Sequence, residues 1–509
     1  MAETAADAGE AGTGQPSMFH RAMLLATVTF VTMLYAMTVT IANVSLPQMQ
    51  GSLSSTPDQI AWIVTSNIVA TAVVTPIAGW LAALLGRRRL MITAILGFGV
   101  ASVLCGMATS VPELVVYRVA QGAFGAPLVP LCQSIVIETF PAEQRGRVMS
   151  IWGTGVILGP IIAPALGGAL SEAYNWRWVF FMLTPFTIVA LIGALAFIRD
   201  NTKGEAPKLD WSGFIALAIG ITALQLMLDR GERAGWFEAW EILIYAGLSL
   251  SAFWVFGVRN MTARRPFLNP VLLGDRNFVV GVILIFIFGM LNFTPITLLP
   301  TMLQNVQGFP DSIIGQILSA RGAGTFLGFA LMFLLAGIDP RIPMFFGLLL
   351  QAYGGWLMAG FGVNVSISQV LWATALQGLG VGFVWIPLSV VAFSTLPRAL
   401  VPDGTSVFHL LRNMGSSIFI SLTVALVIRQ TKVSYSGLVE HVSPFKEAFR
   451  LPGAAEAWSL GNSAALRSLS YEIDRQATMI GYIDAFVMFT IMAALAAPLV
   501  FLVRTSRAL

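Results

Sequence analysis

The chain has 509 residues, of which 56% are hydrophobic and only 11% charged, with a mean hydropathy of +0.79. Soluble domains carry about 25% charged residues, so a soluble enzyme or nucleic-acid-binding protein is excluded, and the net charge of +4 reflects where positive charge sits rather than a polyanionic partner. A bilayer core needs about 20 apolar residues per helix, and fourteen runs of that length predict an all-α polytopic membrane protein.

In chain order the predicted spans are 22–45, 61–85, 90–109, 114–138, 148–170, 178–198, 211–228, 240–258, 279–302, 312–336, 342–362, 369–395, 405–429 and 479–503. Residues 1–21 read as a cytoplasmic tail with no basic segment of the signal-peptide kind. Seventeen Lys and Arg side chains, Arg87, Arg88, Arg89, Arg145 and Arg147 among them, fall on one side, against three (Arg177, Arg230, Arg233) on the short loops of the other. The positive-inside rule then places both termini in the cytoplasm. Cys105 and Cys132 fall inside spans 3 and 4 and read as small buried hydrophobes.

A weak internal repeat runs through the chain. Leu46 and Pro47 close span 1 as Leu299 and Pro300 close span 9, while Pro57 and Asp58 open span 2 as Pro310 and Asp311 open span 10. Gln121 and Gly122 in span 4 match Gln377 and Gly378 in span 12. The repeat predicts two parallel six-helix bundles, 22–198 and 279–503, joined by 199–278 with spans 7 and 8 inserted. A tail follows at 504–509, and a long connection, 431–476, is predicted on the outer face.

In span 5, Gly155, Gly159, Ala163 and Gly167 recur every four residues, a stripe that admits close helix approach. Pro160 and Pro164 each remove a backbone donor and bend the helix. Together they predict a hinge between the halves. Between spans 2 and 3, Gly79, Trp80, Gly86, Arg87, Arg88 and Arg89 form a basic loop signature.

These residues resemble the antiporter and loop motifs of the major facilitator superfamily. Arg118, Gln121 and Gly122 resemble its span 4 motif. Thr40 to Pro47, Trp176 to Phe180, Leu228 to Gly231 and Leu411 to Gly415, with fourteen spans, resemble its drug:proton antiporter branch. The resemblance implies the major facilitator fold, with two six-helix bundles plus two inserted spans. It also implies alternating-access export of hydrophobic or amphipathic compounds from the inner membrane in exchange for protons, with a periplasmic adaptor protein and an outer-membrane channel as partners. The chain departs from the pattern at Ala83, in the usual acidic position of the loop, at Leu183, and at Thr38, where the branch commonly carries an aspartate. An exporter of one metabolite such as a fatty acid, or an uncoupled carrier, is the alternative reading, and a transporter-like sensor is a more distant one.

Ionisable residues inside a bilayer are costly and mark function. Arg118, Arg321 and Arg412 fall within spans, and with Thr38, Asn43, Asn67, Gln121, Gln225 and Gln377 they are the expected cavity residues. His409 reads as a polar helix-end residue rather than as its alternative, a proton relay. Asp229 and Asp484, ahead of Glu138, are the candidate proton carriers. No phosphate-binding loop, nucleophile elbow or histidine-rich metal set occurs, so no catalysis and no cofactor is expected, and an ion gradient must supply the energy.

Overall fold

The computed structural model describes residues 18–55, 57–199, 209–264, 266–309, 311–335, 337–443 and 463–504. The side chains of Asn43 and Pro164 are outside that set. Each predicted span falls on helix. The first half holds α1 (Met18–Val44), α2 (Pro57–Val74, a 3-10 turn at Thr75–Ile77, then Ala78–Leu85), α3 (Arg87–Met107), α4 (Val111–Gly125 and Leu128–Thr139), α5 (Ala142–Ala173) and α6 (Trp178–Phe181 and Leu183–Phe197). The inserted pair is α7 (Trp211–Ala234) and α8 (Trp240–Thr262). The second half holds α9 (Arg276–Asn305), α10 (Asp311–Leu334), α11 (Arg341–Ala359), α12 (Ile367–Ala392), α13 (Val401–Glu440) and α14 (Ser463–Ala496). Among the described residues there is no strand. Thirteen of these helices are long and apolar enough to cross a bilayer, and α5, at 32 residues, also exceeds the required length. Trp254, Trp372 and Leu334 point outward from the bundle, as expected where lipid rather than water is the solvent.

Within the first half, α1 packs on α5, α2 on α4, and α3 on α4 and α6; eight helices later, α9 packs on α13, α10 on α12, and α11 on α12 and α14. The pairings repeat with that displacement. Glycine allows the close approaches: an added Cβ at Gly122 of α4 would lie 2.5 Å from the Asn67 carbonyl oxygen of α2, and one at Gly378 of α12 would strike the Arg321 carbonyl of α10. The halves meet through α2 and α4 on α13 and through α5 on α10 and α12, while α7 touches both α2 and α13. Gly86 ends α2 with φ +83°, a conformation glycine adopts without a Cβ penalty, and so turns the chain into α3. Asp210 fixes the start of α7. It accepts hydrogen bonds from Ser212 Oγ (2.7 Å) and the Gly213 N–H (3.1 Å) and meets Arg259 of α8 at 3.4 Å. Burial alone would raise this carboxyl, but those bonds and the Arg259 charge outweigh it and hold it below the usual value.

The structure extends one expectation and corrects another. The connection 431–476 is helical over much of its length: α13 runs on to Glu440 and α14 begins at Ser463. After Pro402 in its first turn α13 meets no proline before Pro444, and with 40 residues it is about 60 Å long at 1.5 Å per residue, against about 30 Å of hydrocarbon. The two helices pack on each other beyond the predicted span ends, where Tyr435 and Ser470 hydroxyls lie 3.1 Å apart. The α5 stripe, secondly, does not face the other half. A Cβ at Gly155 would strike the Thr29 carbonyl, one at Gly159 would lie 2.6 Å from the Met33 carbonyl, and one at Gly167 would lie 3.0 Å from Ile41, all on α1. Gly153 is the α5 glycine turned to the second half, with Phe329 of α10 at 2.6 Å from its would-be Cβ.

Candidate functional site

Each half buries an arginine against a glutamine. In the first, Arg118 of α4 donates from Nε to the Ile63 carbonyl (3.0 Å) and from Nη1 to Gln121 Oε1 (2.7 Å), lies over Phe180, and is 2% exposed. Gln121 passes the chain on to Ser102 Oγ at 2.8 Å, and Asn67 donates to the Arg118 carbonyl at 3.1 Å. In the second, Arg321 of α10 donates from Nε to Gln377 Oε1 (2.6 Å) and from Nη2 to the backbone and side-chain oxygens of Asn292 (2.8 and 2.9 Å). Arg321 therefore occupies, on α10, the place against α12 that Asn67 occupies on α2 against α4.

Between the halves lies a cavity of about 90 Å³, walled by Phe288, Phe293, Phe329 and Trp385 with Val156, Pro160, Thr325, Asn292, Arg321 and Arg412. Its volume is below the roughly 300–1,000 Å³ of a pocket that engulfs a drug-sized ligand, so this conformation holds the site narrowed. Arg412 lies over Phe293 and Trp385 (5.9 and 5.4 Å), and its fork is held by Asn413 Oδ1. Among the described residues neither Arg321 nor Arg412 has a carboxylate within ion-pair distance. Two guanidinium groups in an apolar wall without an anion are an uncompensated cost, and an anionic or strongly accepting ligand group would offset it.

The other predicted residues are placed as follows. Thr38 is buried and donates to the Leu34 carbonyl; Gln225 of α7 accepts from Ser417 of α13 at 2.5 Å; Ala163 is buried on α5. None of the three carboxylates lines the central cavity. Asp229 is exposed and accepts from Thr65 at 2.9 Å. Asp484 accepts from Gln430 at 2.7 Å within the second half. Glu138 is clamped by Arg87 at 2.5 Å and by Ser134 at 2.9 Å, while Arg88 reaches the Leu195 carbonyl of α6. A Gln at Glu138 leaves half-buried Arg87 without its anion, at a cost of about 1–3 kcal/mol. Detergent-solubilised Glu138→Gln should melt several degrees lower yet keep the pH dependence of transport; unchanged melting would deny the clamp.

A polar seam near the basic ends of the helices was not legible as such in the sequence. His409 is no helix-end residue: it is 1% exposed, and its Nε2 lies 2.5 Å from Gln133 Oε1 of α4, across the halves. Trp385 of α12, 6.1 Å from the His409 ring, stacks on Trp152 of α5 at 6.5 Å; elsewhere between the halves Arg147 of α5 lies over Phe333 of α10, and a Cβ at Gly79 of α2 would strike Asp403 of α13. Gln133, isolated within an apolar run, was the available signal.

Twin six-helix bundles around a small, mainly apolar cavity with a few polar side chains, with every long helix membrane-like, define a carrier of small molecules. The chain belongs to the major facilitator superfamily, which its residues 28–420 match. It is 30% identical over 465 residues to the multidrug export protein EmrB of Escherichia coli K12, covering 91% of each chain. It is 29% identical over 470 residues to the fatty acid resistance protein FarB of Neisseria gonorrhoeae, covering 91% of this chain and 92% of that one. Among solved structures, the proton:xylose symporter XylE matches at TM-score 0.62 with 14% identity over 94% of this chain and 95% of the other. The human organic anion transporter MFSD10 matches at 0.58 with 13% identity over 93% and 98%. These two likenesses are of fold.

Proposed function

We propose that the protein exports hydrophobic and amphipathic small molecules across the inner membrane, exchanging them for protons by alternating access between its two halves. The observation that carries this reading is the central cavity between the bundles, apolar on most of its wall and polar at Asn292, Arg321 and Arg412. Similarity to a protein named for multidrug export, over 91% of the chain, supports the cargo class. In inside-out membrane vesicles with an acid interior, a lipophilic dye should accumulate, and nigericin should release it. Dye entry indifferent to the pH gradient would contradict the antiport reading.

One observation favours a narrower cargo. Among the described residues the two cavity arginines have no carboxylate within ion-pair distance, and Thr38 supplies no charge in α1, so the site suits an amphiphile with an anionic head, a fatty acid or another acidic metabolite included. A relative named for fatty acid resistance supports this second reading. The orientation with both termini in the cytoplasm rests on the basic loops. A cysteine at exposed Ser52 should react with an impermeant maleimide added to the outside of cells, and one at exposed Ala399 only after the inner membrane is permeabilised; the reverse pattern would invert every inside and outside assignment. The α13–α14 projection on the predicted outer face is the surface we assign to a periplasmic adaptor leading to an outer-membrane channel.

A further inference from the structure

The antiport reading needs a group that binds a proton where the halves meet, and none of the three candidate carboxylates lies in the cavity. We propose that His409, in the seam between α13 and α4, is that group, and that its protonation opens the seam toward the cytoplasm. The proposal rests on the antiport reading and adds the residue that carries the proton.

The geometry supplies the switch. Gln133 Oε1 can only accept, so neutral His409 donates to it from Nε2 at 2.5 Å, and the bond ties the two halves together. In that tautomer Nδ1 carries a bare lone pair. It is buried without a hydrogen-bond partner among the described residues, as are Gln133 Nε2 and Trp385 Nε1 beside it. A proton entering from the outer side adds to this lone pair, and no bond breaks elsewhere. The imidazolium then stands in a sealed seam, one turn from the Arg412 guanidinium on its own helix. Burial and like charge both oppose it.

The surrounding charges offer no relief. From α4, Glu138 is held by Arg87; from α5, Arg147 adds a positive charge over Phe333; α12 presents the Trp385 ring, 6.1 Å from the imidazole; and Asp403, six residues earlier on α13, lies against Gly79 of α2. Separation of α13 from α4 wets the imidazolium and lets it lose the proton to the cytoplasm. The direction matches export: the protonated carrier turns inward, and the deprotonated carrier, loaded with cargo, reseals the seam and turns outward.

Spin labels on Leu85 and Ala399, exposed positions on the two halves at the seam's end, read the opening without any ligand. In the wild-type carrier the longer distance should gain population as pH falls. His409→Gln, which can still bond Gln133, should show a distance distribution that no longer changes with pH. In proteoliposomes this variant should exchange 8-anilinonaphthalene-1-sulfonate, a permanent anion, by counterflow, yet lose its uphill accumulation under a pH gradient. Counterflow also shows that the variant is folded. A pH-dependent distance that survives in His409→Gln, or uphill accumulation that survives, overturns the assignment while leaving antiport standing. Wild-type carrier that exchanges the probe but ignores the gradient overturns antiport itself, and His409 with it.

Discussion

Gly159→Leu should abolish transport while the protein still reaches the membrane. A Cβ alone at this position would lie 2.6 Å from the Met33 carbonyl oxygen, 2.8 Å from the Met37 nitrogen and 2.9 Å from the Ala36 Cβ. Two of these are backbone atoms of α1 and cannot rotate away, so a leucine must push α5 off α1. Overpacking of this kind costs typically 1–3 kcal/mol, and here the displaced helix carries Val156 and Pro160 into the cavity wall and Trp152 into the seam. The measurement is transport per folded molecule, with folding judged by a single gel-filtration peak in mild detergent. Gly159→Ala should show a milder loss, and full activity of the leucine variant would show that the α1–α5 contact does not set the cavity.

Arg321→Gln should cut transport of an amphipathic anion by roughly tenfold or more while sparing a permanent cation such as tetraphenylphosphonium. Arg321 makes three hydrogen bonds to Gln377 and Asn292 and also faces the cavity. A hydrogen bond to a charged group is worth about 1.5–3 kcal/mol, and about 1.4 kcal/mol is one factor of ten. Loss of one such contact to a carboxylate or sulfonate head therefore predicts the size of the effect. The test is initial rates for 8-anilinonaphthalene-1-sulfonate and tetraphenylphosphonium in the same vesicles. Equal losses for both would reduce Arg321 to a structural role in holding α10 against α12.

Hydropathy and the positive-inside count made the helices legible because a bilayer leaves the backbone no alternative to helix. The repeat was legible from Gln121 and Gln377, and each glutamine accepts a hydrogen bond from a buried arginine of its own half. The partner of the α5 stripe was not. Periodicity says that a face is smooth but not which helix lies on it, and the smooth face turned to α1. The ends of α13 and α14 were missed for a related reason: hydropathy marks where lipid ends, whereas a helix ends where capping or proline stops it. At the site, the polar residues inside spans were found, but their pairing depends on contacts between distant segments. His409 is the clearest case. Four residues into the predicted span 13 it looked like an interfacial side chain, and only the approach of α4 made it buried.

Proton antiport is the central claim, and purified protein in proteoliposomes tests it without other components. An outward gradient of 8-anilinonaphthalene-1-sulfonate, imposed at equal pH on both sides with the membrane potential clamped by potassium and valinomycin, should drive protons into the lumen. A trapped pH dye should record that acidification, which should be absent in protein-free liposomes and in Gly159→Leu. Probe leaving through the wild-type carrier with no change in lumenal pH would contradict the account.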